Sequence, residues 1–359
     1  MTDEEQASSP PRRIESLDQF RGYTVVAMLA VNFLGGFAVI PAILKHHNTY
    51  CSYADTVMPQ FFFAVGFAYR LTMLRRVAKQ SARAAYRHAV GRIVGLLVLG
   101  FIIYHLDGKF EHWDDLKSLG VLGVLKTAFQ KEYFQTLVHI ALASIWVLPV
   151  ITRGPGVRLV WLVGSAAIHL GLSSWWYFDW LMRRSVIDGG PLGFLSWSIP
   201  LLVGTFAYDL MASRKRSGPG VLLIAAIALM AIGYGLTGVD GIPDALPFCP
   251  PTAPVNIWTM CQRSASVSYE LFAAGFSLAV YLAFVVISDT GGHRLALFRT
   301  FGQNALAAYI LHGWVADAVK PYTPRDVPGW YLALAFAAYF GLCTLLIRTL
   351  EKNEIFLKL

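Results

Sequence analysis

The chain has 359 residues, 56% of them hydrophobic and only 14% charged, and its formal net charge is +8. A soluble domain carries about 25% charged residues, so this composition leaves too few polar groups to clothe a water-facing surface. Nor is the positive charge a nucleic-acid footprint, because the basic residues sit in short segments beside apolar blocks rather than along one polar stripe.

The apolar blocks run for about 18 to 25 residues, the length that crosses a bilayer core, and are too long and uniform for barrel strands. In chain order they predict helical spans at 22–43, 54–74, 90–107, 134–152, 158–176, 193–212, 220–237, 268–287, 298–319 and 329–349. The expected fold is therefore all-α: a polytopic integral membrane protein of about ten transmembrane helices. Residues 1–15 read as an N-terminal tail, 16–350 as the membrane domain and 351–359 as a C-terminal tail. Residues 1–16 are polar and enter the first span without an Ala-x-Ala-like cleavage site, so that span is expected to be retained.

An inside N-terminus leaves only Lys45, Lys109, Lys117, Lys126, Lys131, Arg183, Arg184, Arg263, Lys320 and Arg325 on the outer side. The remaining lysines and arginines fall inside, including Arg12, Arg13, the basic run 70–92, Arg214, Lys215, Arg216 and Lys358. The positive-inside rule then predicts cytoplasmic N- and C-termini. The outer loops 44–53, 108–133, 177–192, 238–267 and 320–328 are the longer ones, which favours a polar substrate met from outside. No internal repeat is visible, which weakens a transporter built from repeated halves.

Cys249 and Cys261 share one outer loop, and a disulfide between them is open in an oxidising compartment. No Cys/His spacing suggests a metal site.

Ionisable groups in or beside spans are costly and mark candidate sites. Asp18 and Arg21 lie three apart at the inner mouth of the first span, placed either to neutralise each other or to clamp a ligand. Asn32 lies within that span, His46 and His47 in the loop beyond it, and Asp55 opens the second. A histidine can take a proton from an amine or hydroxyl, or carry an acyl group, and a carboxylate at a helix start can orient it. The plainer reading of these residues is solvated loop histidines and a helix N-terminal acid. Asn304 and His312 lie two turns apart on similar helix faces, as interhelical hydrogen-bonding groups or as substrate ligands. Gln135 and His139 share a face, while His105 and His169 have no evident partner in the sequence.

Four segments carry a resemblance: RIESLDQFRGYTVVAMLAVN, YADTVMPQFFFAVGFAYRLT, PVNIWTMCQRSAS and FGQNALAAYILH. In this combination and order they resemble the heparan-α-glucosaminide N-acetyltransferase family of multi-spanning acyltransferases, in its bacterial branch. The resemblance implies transfer of an acetyl group from cytoplasmic acetyl-CoA, as co-substrate, to an amino sugar or glycan acceptor on the far side of the lipid bilayer. The family's bacterial branch implies a bacterial inner membrane, and a homodimer is left open.

Residue by residue, the family histidine corresponds to His46 or His47, and the Ser-x-Asp-x-Phe-Arg-Gly signature to Ser16, Asp18, Phe20, Arg21 and Gly22. Asn32, Asp55, Gly302 and Asn304 match further family positions. The spacing to Asp55 is nine from His46 and eight from His47, against ten in the family, and Thr136 stands where the family has an arginine. The implied catalytic set is His46, His47, Asp55 and Asn32. Arg21, Arg75 and Arg76, with Asp18, Asn304 and His312, are the expected acetyl-CoA contacts. The alternative from another class is a secondary transporter of a polar small molecule, supported by the buried polar residues.

Overall fold

The computed structural model describes residues 14–47, 49–106, 110–128, 132–213, 217–240 and 245–357. Arg12, Arg13, Asn48, Lys109, Lys131, Arg214, Lys215, Arg216 and Lys358 lie outside the described residues, as does most of the expected N-terminal tail.

The described chain is helical throughout. Its α-helices are α1 (Glu15–Leu34), α2 (Val57–Lys79), α3 (Ala82–His105), α4 (Trp113–Ala128), α5 (Thr136–Val147), α6 (Pro155–Leu172), α7 (Phe178–Met182), α8 (Phe194–Ala212), α9 (Gly218–Leu236), α10 (Val267–Phe284), α11 (Ala296–Gln303), α12 (Ala305–Val319) and α13 (Gly329–Lys352).

Among the described residues, seven helices are long and apolar enough to cross a membrane, where ten spans are expected from sequence. Each of the other three departs for a local reason. The block at 22–43 is helical only as far as Leu34, and its helix opens with the charged residues Glu15, Asp18 and Arg21. The block at 134–152 gives the 12-residue α5, which ends just before Pro149, a residue that cannot continue a helical hydrogen-bond ladder. The block at 298–319 is broken at Asn304, whose φ of −118° and ψ of 39° leave the helical region. The stretch 108–133, expected as loop, holds α4 with a break at Gly120.

The exposed surface is apolar in stripes. Val90, Val94, Val98 and Ile102 recur every four residues on α3, and Leu223, Ile224 and Ile227 line α9. Such a surface has no favourable partner in water, and lipid is the solvent that suits it.

Where helices meet, glycine replaces hydrophobic bulk. A Cβ on Gly22 of α1 would sit 1.6 Å from the Phe298 carbonyl oxygen of α11, and one on Gly302 of α11 would sit 1.9 Å from the Asp18 oxygen of α1. The same reciprocity joins α2 to α8, where a Cβ on Gly66 would sit 1.8 Å from the Leu201 oxygen and one on Gly204 would sit 2.0 Å from the Phe63 oxygen. Gly233 and Gly275 do likewise between α9 and α10. Close backbone approach supplies dispersion contacts that apolar side chains cannot supply against equally apolar lipid.

A buried ionic node adds direction to this packing. Asp209 of α8 accepts from Arg70 Nε of α2 at 3.0 Å and from the fully buried Arg158 of α6, while Arg70 also donates to the Ile151 carbonyl at 2.5 Å. Charges in this setting persist only when paired.

Candidate active site

The loop between α1 and α2 is organised by one carboxylate. Asp55 lies on the 3-10 turn Ala54–Thr56 that opens α2, fully buried. It accepts from Ser52 N at 2.9 Å, from His47 N at 3.3 Å and from the His46 ring at Nδ1, 2.9 Å away. Its own carbonyl is held by the Tyr269 hydroxyl of α10 at 2.6 Å. An ionised carboxylate can only accept, so Nδ1 of His46 carries the proton and Nε2 is the nitrogen left for chemistry.

Nε2 lies 3.4 Å from Asn32 Oδ1 of α1. That amide oxygen accepts from an imidazolium, and a half-turn of the amide presents its NH2 to a neutral ring. Asn32 can therefore follow His46 through a protonation cycle. The two adjacent histidines are not equivalent. His47 donates Nε2–H to the Ala42 carbonyl at 2.8 Å and stacks on Tyr50, with ring centroids 4.2 Å apart.

The His46 side chain is 47% exposed, and the space it faces is a chamber of about 340 Å3. Asn32, His47, Gln135, Asp188 and Gln262 also line it. Burial acts to lower the His46 pKa, but the hydrogen bond and charge of Asp55, reinforced by Asp188 and Gln262, outweigh it and leave the value raised above the usual 6.5. Asp188 is pushed up to about 6 by burial, against the hydrogen bond from Gln262 and the charge of His46.

A second and larger chamber, about 550 Å3, holds Arg21 of α1, Arg76 of α2, and His88 and Arg92 of α3. Phe61, Thr136 and Tyr309 line both chambers. The two spaces thus adjoin at a neck made by α2, α5 and α12. The Tyr309 hydroxyl is 2.7 Å from that of Tyr104, which in turn accepts from Leu137 N at 3.2 Å.

Of the residues singled out from sequence, His46, His47, Asn32 and Asp55 come together at one chamber, while Arg21 and Arg76 line the other. Asp18 lies 3.9 Å from Arg21. Arg75 points outward from α2 and is exposed. Asn304 is fully buried, donates to the Ile355 carbonyl at 3.1 Å, and is not among the residues lining either chamber. His312 bonds back to the Tyr309 carbonyl at 2.5 Å and is not among them either. No disulfide joins Cys249, which is exposed, to Cys261, which is buried.

Asp188, Gln262, Arg92, His88 and Tyr309 are site-lining residues not singled out from sequence. Gln262 lies inside the PVNIWTMCQRSAS segment, and His88 and Arg92 within the basic run 70–92, so a signal existed for these three.

Comparison with known families gives a match to the model described as an acyltransferase domain, over residues 14–348. No match was found among curated proteins. The matched stretch covers nearly the whole described chain, including both chambers and the neck, and the chain belongs to this acyltransferase domain family.

Proposed function

We propose that this protein moves an acetyl group from cytoplasmic acetyl-CoA to an amine or hydroxyl of a sugar acceptor on the outer side of a bacterial inner membrane. The observation that carries this reading is the pair of chambers meeting at Phe61, Thr136 and Tyr309, one basic and one centred on His46. Arg21, Arg76 and Arg92 suit the phosphates of coenzyme A, since guanidinium groups bind phosphate through charge-assisted, often bidentate hydrogen bonds. The pantetheine arm then extends through the neck and brings the thioester to the His46 chamber. The resemblance to heparan-α-glucosaminide N-acetyltransferases agrees with that donor and that class of acceptor.

In the transfer, the acceptor nitrogen or oxygen attacks the thioester carbonyl carbon while His46 Nε2 takes its proton. The new C–N or C–O bond forms, the C–S bond breaks, and the imidazolium returns the proton to the departing thiolate. A covalent acetyl-histidine route would use the same nitrogen as nucleophile. Asp55 holds the ring in the required tautomer and stabilises the imidazolium, the role a buried carboxylate plays beside a catalytic histidine. The basic chamber and both termini face the cytoplasm in this reading, with α1, α5 and the broken α11–α12 pair completing ten crossings.

The test uses the full chain in sealed vesicles with acetyl-labelled acetyl-CoA on the basic side and glucosamine on the other. Label in N-acetylglucosamine is the expected result. Counterflow of glucosamine without covalent change would overturn the reading in favour of a transporter.

A further inference from the structure

We propose that Asp188 and Gln262 form the acceptor-positioning subsite of the outer chamber, selecting acceptors that offer a hydrogen-bond donor beside the attacking group and rejecting carboxylated ones. This inference rests on the reading of the outer chamber as the acceptor side.

The carboxylate behind His46 and the one that lines the chamber are differently committed. Asp55 accepts from His46, His47 and Ser52 and is fully occupied by the protein. Asp188 lines the chamber and is only 4% exposed, and among the described residues its carboxylate takes one hydrogen bond, from Gln262 Nε2 to Oδ1 at 2.7 Å. A carboxyl group so buried is costly unless further donors reach it, and the open side of the chamber is where a ligand would supply them. Asp188, Gln262 and His46 line the same chamber, and Gln262 is bonded to Asp188, so the three present one polar wall.

The backbone beneath Asp188 has the mark of a position held for its side chain. Asp188, Gly189 and Gly190 have φ values of 58°, 80° and 56°, three successive residues in the left-handed region. For a non-glycine residue that conformation costs energy and persists only where the surroundings over-determine it. Here they do. Trp197 Nε1 donates to the Asp188 carbonyl at 2.8 Å, the Tyr177 hydroxyl donates to the Gly189 carbonyl at 2.5 Å, and Gly189 N donates to the Arg263 carbonyl at 3.0 Å.

Arg263 lines the chamber as well, but its Nη2 is turned to the backbone carbonyls of Met182 and Arg184. One acid, Asp188, therefore faces the acceptor, and the guanidinium beside it is directed at main chain. An acceptor hydroxyl or ammonium neighbouring the nucleophile fits this wall, whereas an acceptor carboxylate meets like charge at close range.

Asp188→Asn preserves size and suits the left-handed backbone, because asparagine tolerates that region better than other non-glycine residues. Gln262→Met supplies a second variant of similar length. With acetyl-CoA as donor, both should raise the KM for glucosamine about tenfold or more, the effect of losing a charge-assisted hydrogen bond, while the KM for acetyl-CoA stays unchanged. Glucuronate should be a poor acceptor for the wild type and gain relative to glucosamine in Asp188→Asn, a change that a merely structural role would not produce. An unchanged glucosamine KM, or an unchanged preference against glucuronate, overturns the subsite. If no probe is acetylated, thermal-shift binding separates the two ideas. Stabilisation by glucosamine that Asp188→Asn abolishes would keep the subsite while the transfer reading fails, and no stabilisation of the wild type would overturn the subsite.

Discussion

Replacing His46 by alanine tests the central geometry most directly. The imidazole has Nδ1 on Asp55 at 2.9 Å and Nε2 facing the chamber beside Asn32, so its removal deletes the base that the Asp55 carboxylate orients there. Positioned general-base catalysis contributes about 10²- to 10⁴-fold, and turnover should fall by that order. Affinity for coenzyme A should stay near wild type, because the basic chamber is lined by residues beyond the neck. His47→Ala is the internal control. It forfeits a hydrogen bond to the Ala42 carbonyl and a stack on Tyr50, which together are worth about 1–3 kcal/mol of loop stability, and it leaves His46 in place. The assay is acetyl transfer from acetyl-CoA to glucosamine, read beside coenzyme A binding and thermal stability for each variant. The reasoning is refuted if His46→Ala keeps near-normal transfer, or if His47→Ala loses as much turnover as His46→Ala while remaining folded.

Because the His46 pKa is raised above 6.5, activity should rise with pH through an inflection above that value as the base becomes neutral; in Asp55→Asn a pH–rate profile should show the inflection displaced downward. The sign for stability is opposite: the contribution from the protonated His46–Asp55 pair is fully present below about 6.5 and is lost as pH rises through the raised value, which thermal melts across that window would detect. Arg21→Ala and Arg76→Ala should each weaken coenzyme A binding by about ten- to a hundredfold in calorimetry with little loss of melting temperature, and a pure stability loss at unchanged affinity would make the Asp18–Arg21 pair structural. Gly302→Ala should cost about 1–3 kcal/mol or prevent folding, since the obstructing atom is backbone rather than a movable side chain, and an unchanged melt would disprove the tight α1–α11 contact. A cysteine at Thr49 should react with an impermeant label only from the periplasmic face, and labelling from the cytoplasm alone would invert the proposed orientation.

The helical class and the proximity of His46, Asn32 and Asp55 were legible in the sequence because both depend on near neighbours. Apolar block length announces a spanning helix, and the nine residues from His46 to Asp55 are too few to carry them apart once both flanking helices form. Which of the two rings reaches Asp55 needed coordinates: that of His46 does, while that of His47 turns to the Ala42 carbonyl. Asn304 and His312 show the limit of helical periodicity. Eight residues apart, they share a face only if the helix is continuous, and the break at Asn304 removes that premise. Asp188 was invisible for another reason. It lies far in sequence from His46, and only the packing of the 183–190 turn against the loop that holds Gln262 and Arg263 brings it to the chamber.

The same break explains how one polypeptide segment serves two tasks. Gly302 must stay against α1, because its Cα approaches the Asp18 carbonyl too closely for any side chain. Tyr309 must reach the neck, where its hydroxyl meets Tyr104 and its side chain lines both chambers. An uninterrupted helix from Ala296 to Val319 would fix the angle between these two positions at about 100° per residue and point both along one axis. With the chain leaving helical geometry at Asn304, α11 remains locked on α1 while α12 takes its own direction, and the Asn304 amide ties the junction to the Ile355 carbonyl. Leu137 N donates to the Tyr104 hydroxyl, which shares a hydrogen bond with that of Tyr309 and so holds it at the neck. A non-spanning feature in the helix pattern, read alone as a defect, is thus the feature that brings a hydrogen-bonded hydroxyl between the basic chamber and the His46 chamber.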